Sequence, residues 1–126
     1  MSLRSPLSKV RGLGSAKGGT LHFWYQRITA IVLVPLILWV CYSIVSITGM
    51  DYESVITWMS SPINALLMLA LVIAVFFHAL LGIQVVIEDY IHTEWQKIGS
   101  IILVKFLVFL AGMASVLAIL KIFLGL

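Results

Sequence analysis

Charged residues are scarce in this sequence. They make up 10% of its 126 residues, and hydrophobic residues make up 62%, whereas a soluble domain is about 25% charged and about 45–50% apolar. The single cysteine, Cys41, excludes an internal disulfide. The sequence also lacks a glycine-rich phosphate loop, a CxxC pair and a Ser/His/Asp arrangement. It is therefore typical of an integral membrane protein with no room for a soluble domain, so any water-soluble chemistry has to come from another chain.

Three apolar runs dominate the sequence instead. They cover about residues 28–48, 64–87 and 98–124, and each exceeds the roughly 20 residues that a helix needs to cross a hydrocarbon core about 30 Å thick. The sequence predicts an all-α fold with three transmembrane helices in residues 28–126, preceded by a basic arm in residues 1–27. We expect residues 1–21, rich in glycine and serine, to be flexible and to contact anionic lipid or a cytoplasmic partner.

The distribution of basic residues predicts the orientation in the membrane. No acidic residue precedes the first run, whereas the first loop holds Asp51 and Glu53 and no basic residue. Because cytoplasmic segments carry an excess of Lys and Arg, we expect the N-terminus and the second loop inside and the C-terminus outside. The basic residues before the first run are Arg4, Lys9, Arg11, Lys17 and Arg27.

The first loop carries a helical pattern of its own. Apolar residues recur there at i, i+3, i+4 and i+7, which predicts a short helix lying in the membrane interface. Ser61 followed by Pro62 then suits the N-cap and first turn of the second transmembrane helix. The apolar stripe consists of Tyr52, Val55, Ile56 and Met59.

An ionisable residue, His78, lies near the middle of the second run. Such a group at membrane depth costs roughly 2–3 kcal/mol or more and marks a functional site by default, and imidazole is the commonest metal ligand and a haem-iron ligand. Ala70, Ala74 and Gly82 recur with His78 every four residues. This stripe either leaves space for a flat group such as a porphyrin, or packs against another helix that supplies a polar partner for His78.

The membrane-spanning part of the chain offers no second axial ligand. One intramembrane histidine cannot supply both ligands of a six-coordinate haem, so a haem at His78 requires a partner subunit. His92 follows at a spacing that stacks two histidines on one helix in dihaem cytochromes. A dihaem site also needs a second helix with a matching pair, and the remaining histidine, His22, precedes the first run. We therefore expect no dihaem arrangement within this chain.

Polar residues are concentrated where the second run ends, on the side that the orientation argument places in the cytoplasm. Arg27 opens the first run on the same side. An arginine, an acid and a phenol there suit a pocket for a lipid-soluble molecule with a polar headgroup, in which Tyr90 donates to a carbonyl oxygen. The alternative is a layer of interfacial anchors, a common role of Tyr and Arg. The polar residues are Gln84, Glu88, Asp89, Tyr90 and His92.

Two segments carry a resemblance to a known family. The runs are HFWYQRITAIVLVPL, from His22 to Leu36, and HALLGIQVVIEDYIH, from His78 to His92. Together with the length and the three predicted spans, they resemble the hydrophobic membrane-anchor subunit of succinate dehydrogenase. This is the D subunit of respiratory complex II, and the sequence resembles its alphaproteobacterial and mitochondrial-type members most.

The resemblance implies a role for each matching residue. His78 would be an axial ligand of haem b, with its iron shared with a companion cytochrome b subunit that supplies the other ligand. Tyr90 would hydrogen-bond ubiquinone, and Asp89 matches an acid beside that tyrosine. Arg27 matches an arginine near the haem propionates and the quinone pocket, and His22 occupies the region of a histidine near the propionates. The resemblance implies no role for His92.

The resemblance also implies partners and a reaction. Succinate would be oxidised at a flavin in a soluble flavoprotein subunit, and electrons would pass through an iron–sulfur subunit to ubiquinone at the membrane face. The chain would anchor these subunits in a bacterial inner membrane, or in the mitochondrial inner membrane if organellar, as half of a haem-binding helix bundle. No nucleic-acid partner is expected. The alternatives are a cofactor-free assembly anchor and a fumarate reductase anchor. A small ion carrier is disfavoured because the second run is apolar between His78 and the outer face and has no ladder of ionisable groups there.

Overall fold

Three long apolar helices account for most of the described chain. The computed structural model describes residues 6–7 and 17–126. In residues 17–126 it has four helices and no strand: α1 (Lys17–Ile47), α2 (Tyr52–Met59), α3 (Pro62–Tyr90) and α4 (Glu94–Leu124). Within these residues α1, α3 and α4 are long and apolar enough to cross a membrane. The predicted all-α fold with three spanning helices is confirmed.

The helices extend beyond the apolar runs. The first begins at Lys17 and the last at Glu94, because a helix satisfies its backbone polar groups internally and can continue where the side chains become polar. The prediction of a flexible segment up to residue 21 is therefore wrong for residues 17–21, which are helical. Residues 22–27 of the predicted arm are helical too, and its residues 1–5 and 8–16 lie outside the described residues.

α3 is the central helix, since it packs against both α1 and α4. We call the end of the bundle where α1 begins and α3 ends the proximal end, and the opposite end the distal end. Between α1 and α3, Leu33, Leu36 and Ala74 form a buried cluster. Between α3 and α4, Gly112 faces the ring of Phe76, which would lie 3.7 Å from a methyl group added at Gly112.

The short helix α2 closes the distal end. It occupies the residues for which the sequence predicts an interfacial helix. Trp58 of α2 stacks on Trp39 of α1, with ring centroids 6.0 Å apart and ring planes 16° from parallel. The Ser60 hydroxyl donates to the backbone oxygen of Ile122 at 3.2 Å. α2 is thereby joined to both α1 and α4.

The turn from α2 into α3 follows the predicted cap only in part. Ser61 is the N-cap and Pro62 the first residue of α3, as predicted, but the Ser61 side chain makes no capping hydrogen bond. The Asn64 side chain instead donates to the backbone oxygen of Trp58 at 2.8 Å.

At the start of α2 the Ser54 hydroxyl donates to the Asp51 carboxylate, which holds the pKa of Asp51 below its ordinary value.

Candidate functional site

His78 has a polar partner within the chain. Its ring is half-buried in the middle of α3, and its Nδ1 lies 2.9 Å from Oγ1 of Thr29 on α1. Thr29 Oγ1 is also 2.8 Å from the backbone oxygen of Tyr25 and 3.1 Å from that of Gln26. A neighbouring helix therefore satisfies one ring nitrogen of His78, as one of the two interpretations of the sequence expected.

The stripe of small residues beside His78 is covered by α1. Ala74 is packed against Leu33 and Leu36, and a methyl group added at Gly82 would lie 3.5 Å from Nε2 of Gln26. The interpretation that this stripe leaves space for a flat group is wrong, because α1 occupies that space. The small side chains instead let α1 and α3 approach closely.

Open space beside His78 lies on the flank of α1. His78 and α1 side chains line a groove of about 480 Å³ there, within the range of roughly 300–1,000 Å³ that is typical of small-molecule and cofactor sites. In the described part of the chain Nε2 of His78 makes no hydrogen bond. The α1 residues that line the groove are Ala30, Leu33, Val34, Ile37 and Leu38.

The proximal end of the α1–α3 contact is polar. A pocket of about 360 Å³ there is lined by Gly19 and His22 of α1 and by Gln84 and Glu88 of α3. The Gln84 amide donates to the Glu88 carboxylate at 2.8 Å. The pocket thus brings His22 of α1 to the polar end of α3, a contact that the sequence did not predict.

Two buried polar atoms in this contact have no hydrogen-bond partner among the described residues. They are Nε2 of His22 and Oε1 of Gln26. An unpaired buried donor or acceptor costs about 1–3 kcal/mol. The proximal part of the contact therefore carries a cost that its apolar distal part does not.

Comparison with known proteins decides the family. Residues 1–112 match the family described as "Succinate dehydrogenase/Fumarate reductase transmembrane subunit", which is most of the 126-residue chain.

The chain belongs to this family of transmembrane subunits.

Curated relatives agree with the family match. The chain is 40% identical over 116 residues to the "Succinate dehydrogenase hydrophobic membrane anchor subunit" of Rickettsia bellii, covering 92% of this chain and 93% of the relative. It is 30% identical over 92 residues to the "Succinate dehydrogenase membrane anchor subunit" of Reclinomonas americana, covering 71% and 77%. No solved structure matches the chain. The family and the three long helices make it a multi-pass membrane protein.

For a transmembrane subunit of this family, the residues beside the groove fit a haem. A haem held by histidine needs an imidazole nitrogen with a free lone pair and an apolar surface for the macrocycle. His78 lines an apolar groove, and Thr29 engages its Nδ1, which leaves Nε2 as the nitrogen for a ligand bond. The groove is formed by one side of α1 together with His78.

Arg27 is nearer in depth to His78 than to Tyr90. The contacts of Thr29 with His78 and of Gln26 with Gly82 set the register of the two antiparallel helices. Arg27 then lies about level with residue 81, roughly 14 Å along the axis from Tyr90 at the helical rise. Its guanidinium carbon is 5.1 Å from the centre of the Phe23 ring. The structure therefore does not bring Arg27 to the same level as Tyr90.

The residues expected to meet a quinone are exposed at the end of α3. Tyr90 is 79% exposed, and Asp89 is also exposed. Among the side chains of residues 19–126 the one ion pair joins Lys97 to Glu94, so Asp89 is not part of an ion pair there. Nδ1 of His92 lies 3.1 Å from the backbone oxygen of Tyr90, which gives His92 a local contact at the end of the helix.

Sequence reasoning missed Thr29 and Gln26. The signal was their spacing: His22, Gln26, Thr29 and Leu33 follow one another at intervals of four, three and four residues, which puts them on one helix face. A polar start to a face that continues with Leu33 indicates a helix contact that becomes polar toward the proximal end. Hydropathy alone does not reveal this, because the first apolar run contains both Thr29 and Leu33.

Proposed function

We propose that this chain is the membrane anchor of a succinate dehydrogenase, sharing haem b with a companion cytochrome b subunit and forming one wall of a ubiquinone site. The observation that carries the haem proposal is the environment of His78, an intramembrane imidazole with one nitrogen engaged by Thr29 and an open apolar groove beside it. The family match and the names of the relatives support the complex to which the chain belongs.

The residues at the proximal end have distinct parts in this proposal. Tyr90 donates its phenol hydrogen to a quinone carbonyl oxygen, for which its exposure at the end of α3 leaves it available. Asp89 orients the groups around that phenol. Arg27 and His22 lie near the haem propionates and interact with them. Arg27 is about level with residue 81 along the helix axis, which favours this role over direct contact with the quinone. A bound haem supplies one-electron exchange with the quinone site.

The proposal extends to the position in the membrane. The N-terminus lies on the cytoplasmic side of a bacterial inner membrane, because basic residues precede α1 and acidic residues without basic ones follow it. In this orientation the proximal end faces the cytoplasm. The flavoprotein and iron–sulfur subunits dock there, next to Tyr90, and lipid surrounds the remaining faces.

One observation favours a second candidate, a cofactor-free anchor. The hydrogen bond between His78 and Thr29 is also what a histidine with a purely structural role would make. This candidate predicts a purified complex without haem absorbance and a chain that tolerates His78→Leu. Both proposals share the anchoring function and differ in the spectrum.

The test of the haem ligand is a reduced-minus-oxidised spectrum of the purified complex. We expect His78→Ala to abolish the b-type spectrum, because the removed imidazole is the chain's proposed ligand. His92→Ala is the matched control, since His92 is exposed and lies beyond the end of α3. An unchanged b-type spectrum in His78→Ala would contradict the ligand assignment.

The test of the quinone contact is succinate:quinone reductase activity of Tyr90→Phe. Loss of one hydrogen bond of about 0.5–1.5 kcal/mol predicts a fall in kcat/KM for quinone of roughly 2- to 10-fold. Tyr52→Phe is the control, because Tyr52 is comparably exposed, at 74%, but lies on α2 at the distal end. Wild-type kinetics in Tyr90→Phe would remove the hydrogen-bonding role.

A further inference from the structure

We propose that Thr29 is a positioning residue for His78: its hydroxyl oxygen accepts the Nδ1–H of the ring and so presents Nε2, with its lone pair free, to the groove. This inference rests on the proposed haem function and names a residue on which that function depends. It follows from the three polar atoms around one hydroxyl group, at 2.8, 2.9 and 3.1 Å.

The hydrogens around Thr29 can be assigned by counting. A threonine hydroxyl has one hydrogen to donate and two lone pairs to accept with, whereas a backbone carbonyl only accepts. The oxygen of Tyr25 lies 2.8 Å from Oγ1, a separation that is attractive only if a hydrogen lies between the two oxygens. The single hydroxyl hydrogen of Thr29 is therefore directed at the α1 backbone, and Oγ1 offers a lone pair to His78.

This assignment fixes the tautomer of the imidazole. Nδ1 of His78 lies 2.9 Å from an oxygen that can only accept from it, so Nδ1 carries the hydrogen. In a neutral imidazole one nitrogen is the donor and the other has the free lone pair. In the neutral ring of His78, Nε2 is then the nitrogen with the free lone pair, the form in which imidazole binds a metal.

The acceptor is held rigidly by its own helix. Thr is β-branched, and its hydroxyl in a helix settles where it can bond to the carbonyl of residue i−3 or i−4, as Thr29 does with Gln26 and Tyr25. One turn further along, Leu33 packs on Ala74 and keeps α1 close to α3. His78 therefore meets an acceptor of fixed position rather than a mobile side chain.

The hydrogen bond from Nδ1 of His78 to Thr29 would affect the midpoint potential and the retention of a bound iron, as well as the orientation of the imidazole ring. An imidazole that donates its second N–H to an acceptor is a more basic ligand, and loss of that acceptor typically costs about 10- to 100-fold in metal affinity or activity. A more basic ligand favours ferric over ferrous iron. Removing the acceptor should thus raise the midpoint potential of the haem and weaken its retention.

The experiment compares three variants in the purified complex. Thr29→Val keeps the shape and removes the acceptor, and Thr29→Ser keeps the hydroxyl. Thr48→Val is the matched control, because Thr48 makes the same kind of bond to the carbonyl of Ile44, at 2.7 Å, and is exposed. The measurements are the haem midpoint potential and the dissociation of haem.

We expect Thr29→Val to raise the midpoint potential and to weaken haem binding roughly tenfold, at the low end of the range for lost supporting partners. Thr29→Ser should restore both values, and Thr48→Val should match the wild type. An unchanged potential in Thr29→Val, with haem present in the wild type, overturns the inference. Equal shifts in Thr29→Val and Thr48→Val overturn it as well, because they indicate that the effect does not depend on the contact with His78.

A second measurement tests Thr29 independently of haem. Nitrogen-15 NMR of the histidine-labelled full chain in lipid bilayers reports which nitrogen of His78 carries the hydrogen, with His22→Gln and His92→Gln variants assigning the signals. The inference is supported if the wild-type ring carries its hydrogen on Nδ1 and the Thr29→Val ring no longer adopts a single tautomer. Hydrogen on Nε2 in the wild type overturns it. Absence of a b-type spectrum in the wild-type complex instead overturns the haem part of the proposed function and leaves the cofactor-free anchor.

Discussion

The two halves of the α1–α3 contact differ in chemistry although they belong to one continuous interface. The distal half is an apolar cluster around Leu33, Leu36 and Ala74. The proximal half places polar groups of α1 against α3: Thr29 contacts His78 there, whereas Nε2 of His22 and Oε1 of Gln26 are buried without a hydrogen-bond partner among the described residues. Packing in the distal half sets the distance between α1 and α3. At that distance Thr29 of the proximal half can form a hydrogen bond with His78.

The largest effect should come from overpacking the distal half. Ala74 is 9% exposed and lies against Leu33 and Leu36, so Ala74→Phe should force α1 away and cost about 1–3 kcal/mol in free energy of unfolding. The measurement is detergent-induced unfolding of the full chain in bicelles. Because Thr29 moves with α1, the b-type haem of the complex should be retained less well too.

The control for this substitution is Val75→Phe. Val75 is the next residue along α3 and is 40% exposed, so the added ring has room. Equal losses of stability in the two variants would show that the distal half is not the closely packed part of the contact.

An intermediate effect, of opposite sign, is expected in the proximal half. Oε1 of Gln26 is buried without a partner, and an apolar side chain of similar size removes that cost. Gln26→Leu should therefore raise the free energy of unfolding of the full chain by about 1 kcal/mol, at the low end of the range for an unpaired buried group. The same unfolding assay measures it.

Gln96→Leu provides the comparison, because Gln96 is exposed in the first turn of α4 and surface changes usually stay within about 0.5 kcal/mol. A destabilised Gln26→Leu chain would mean that the amide is satisfied in the folded protein. The proximal half would then be a polar site in its own right rather than the costly part of a helix contact.

The smallest effect is expected at Gly82. An added methyl group would lie 3.5 Å from Nε2 of Gln26, an ordinary contact, and replacing glycine by alanine within a helix gains roughly 0.5–1 kcal/mol. Gly82→Ala should be slightly more stable than the wild type in the same assay, and its complex should retain haem.

Gly99→Ala is the control for Gly82→Ala. It measures the effect on stability of replacing a helical glycine by alanine without new contacts, because nothing lies within 4 Å of a methyl group added there. Loss of haem in Gly82→Ala alone would revive the interpretation in which the small residues of α3 make space for a flat group.

Hydropathy and helical spacing predict the architecture. The three spans, the short helix α2 and the position of Ser61 at the start of α3 follow from run length and from turn chemistry, both of which are local. The helix ends at Lys17 and Glu94 were not predicted, because backbone hydrogen bonding continues a helix after its side chains cease to be apolar.

The site was predictable only in part, for a different reason. His78 is conspicuous because a titratable group is costly at that depth, and the face of α3 that meets another helix is visible in its small residues. Which helix meets that face is a tertiary fact. The sequence left the space beside Ala74 and Gly82 open to either a flat group or another helix, and Leu33 and Gln26 of α1 occupy it.

The stacked indoles of Trp39 and Trp58 give the molecule an optical reporter. Two parallel indoles 6.0 Å apart share their electronic transitions, so the pair should produce a coupled circular-dichroism band that separated tryptophans lack. The other two tryptophans, Trp24 and Trp95, are exposed and do not form such a pair. The band would therefore follow the docking of α2 onto α1 in real time, at the end of the bundle remote from the proposed quinone site.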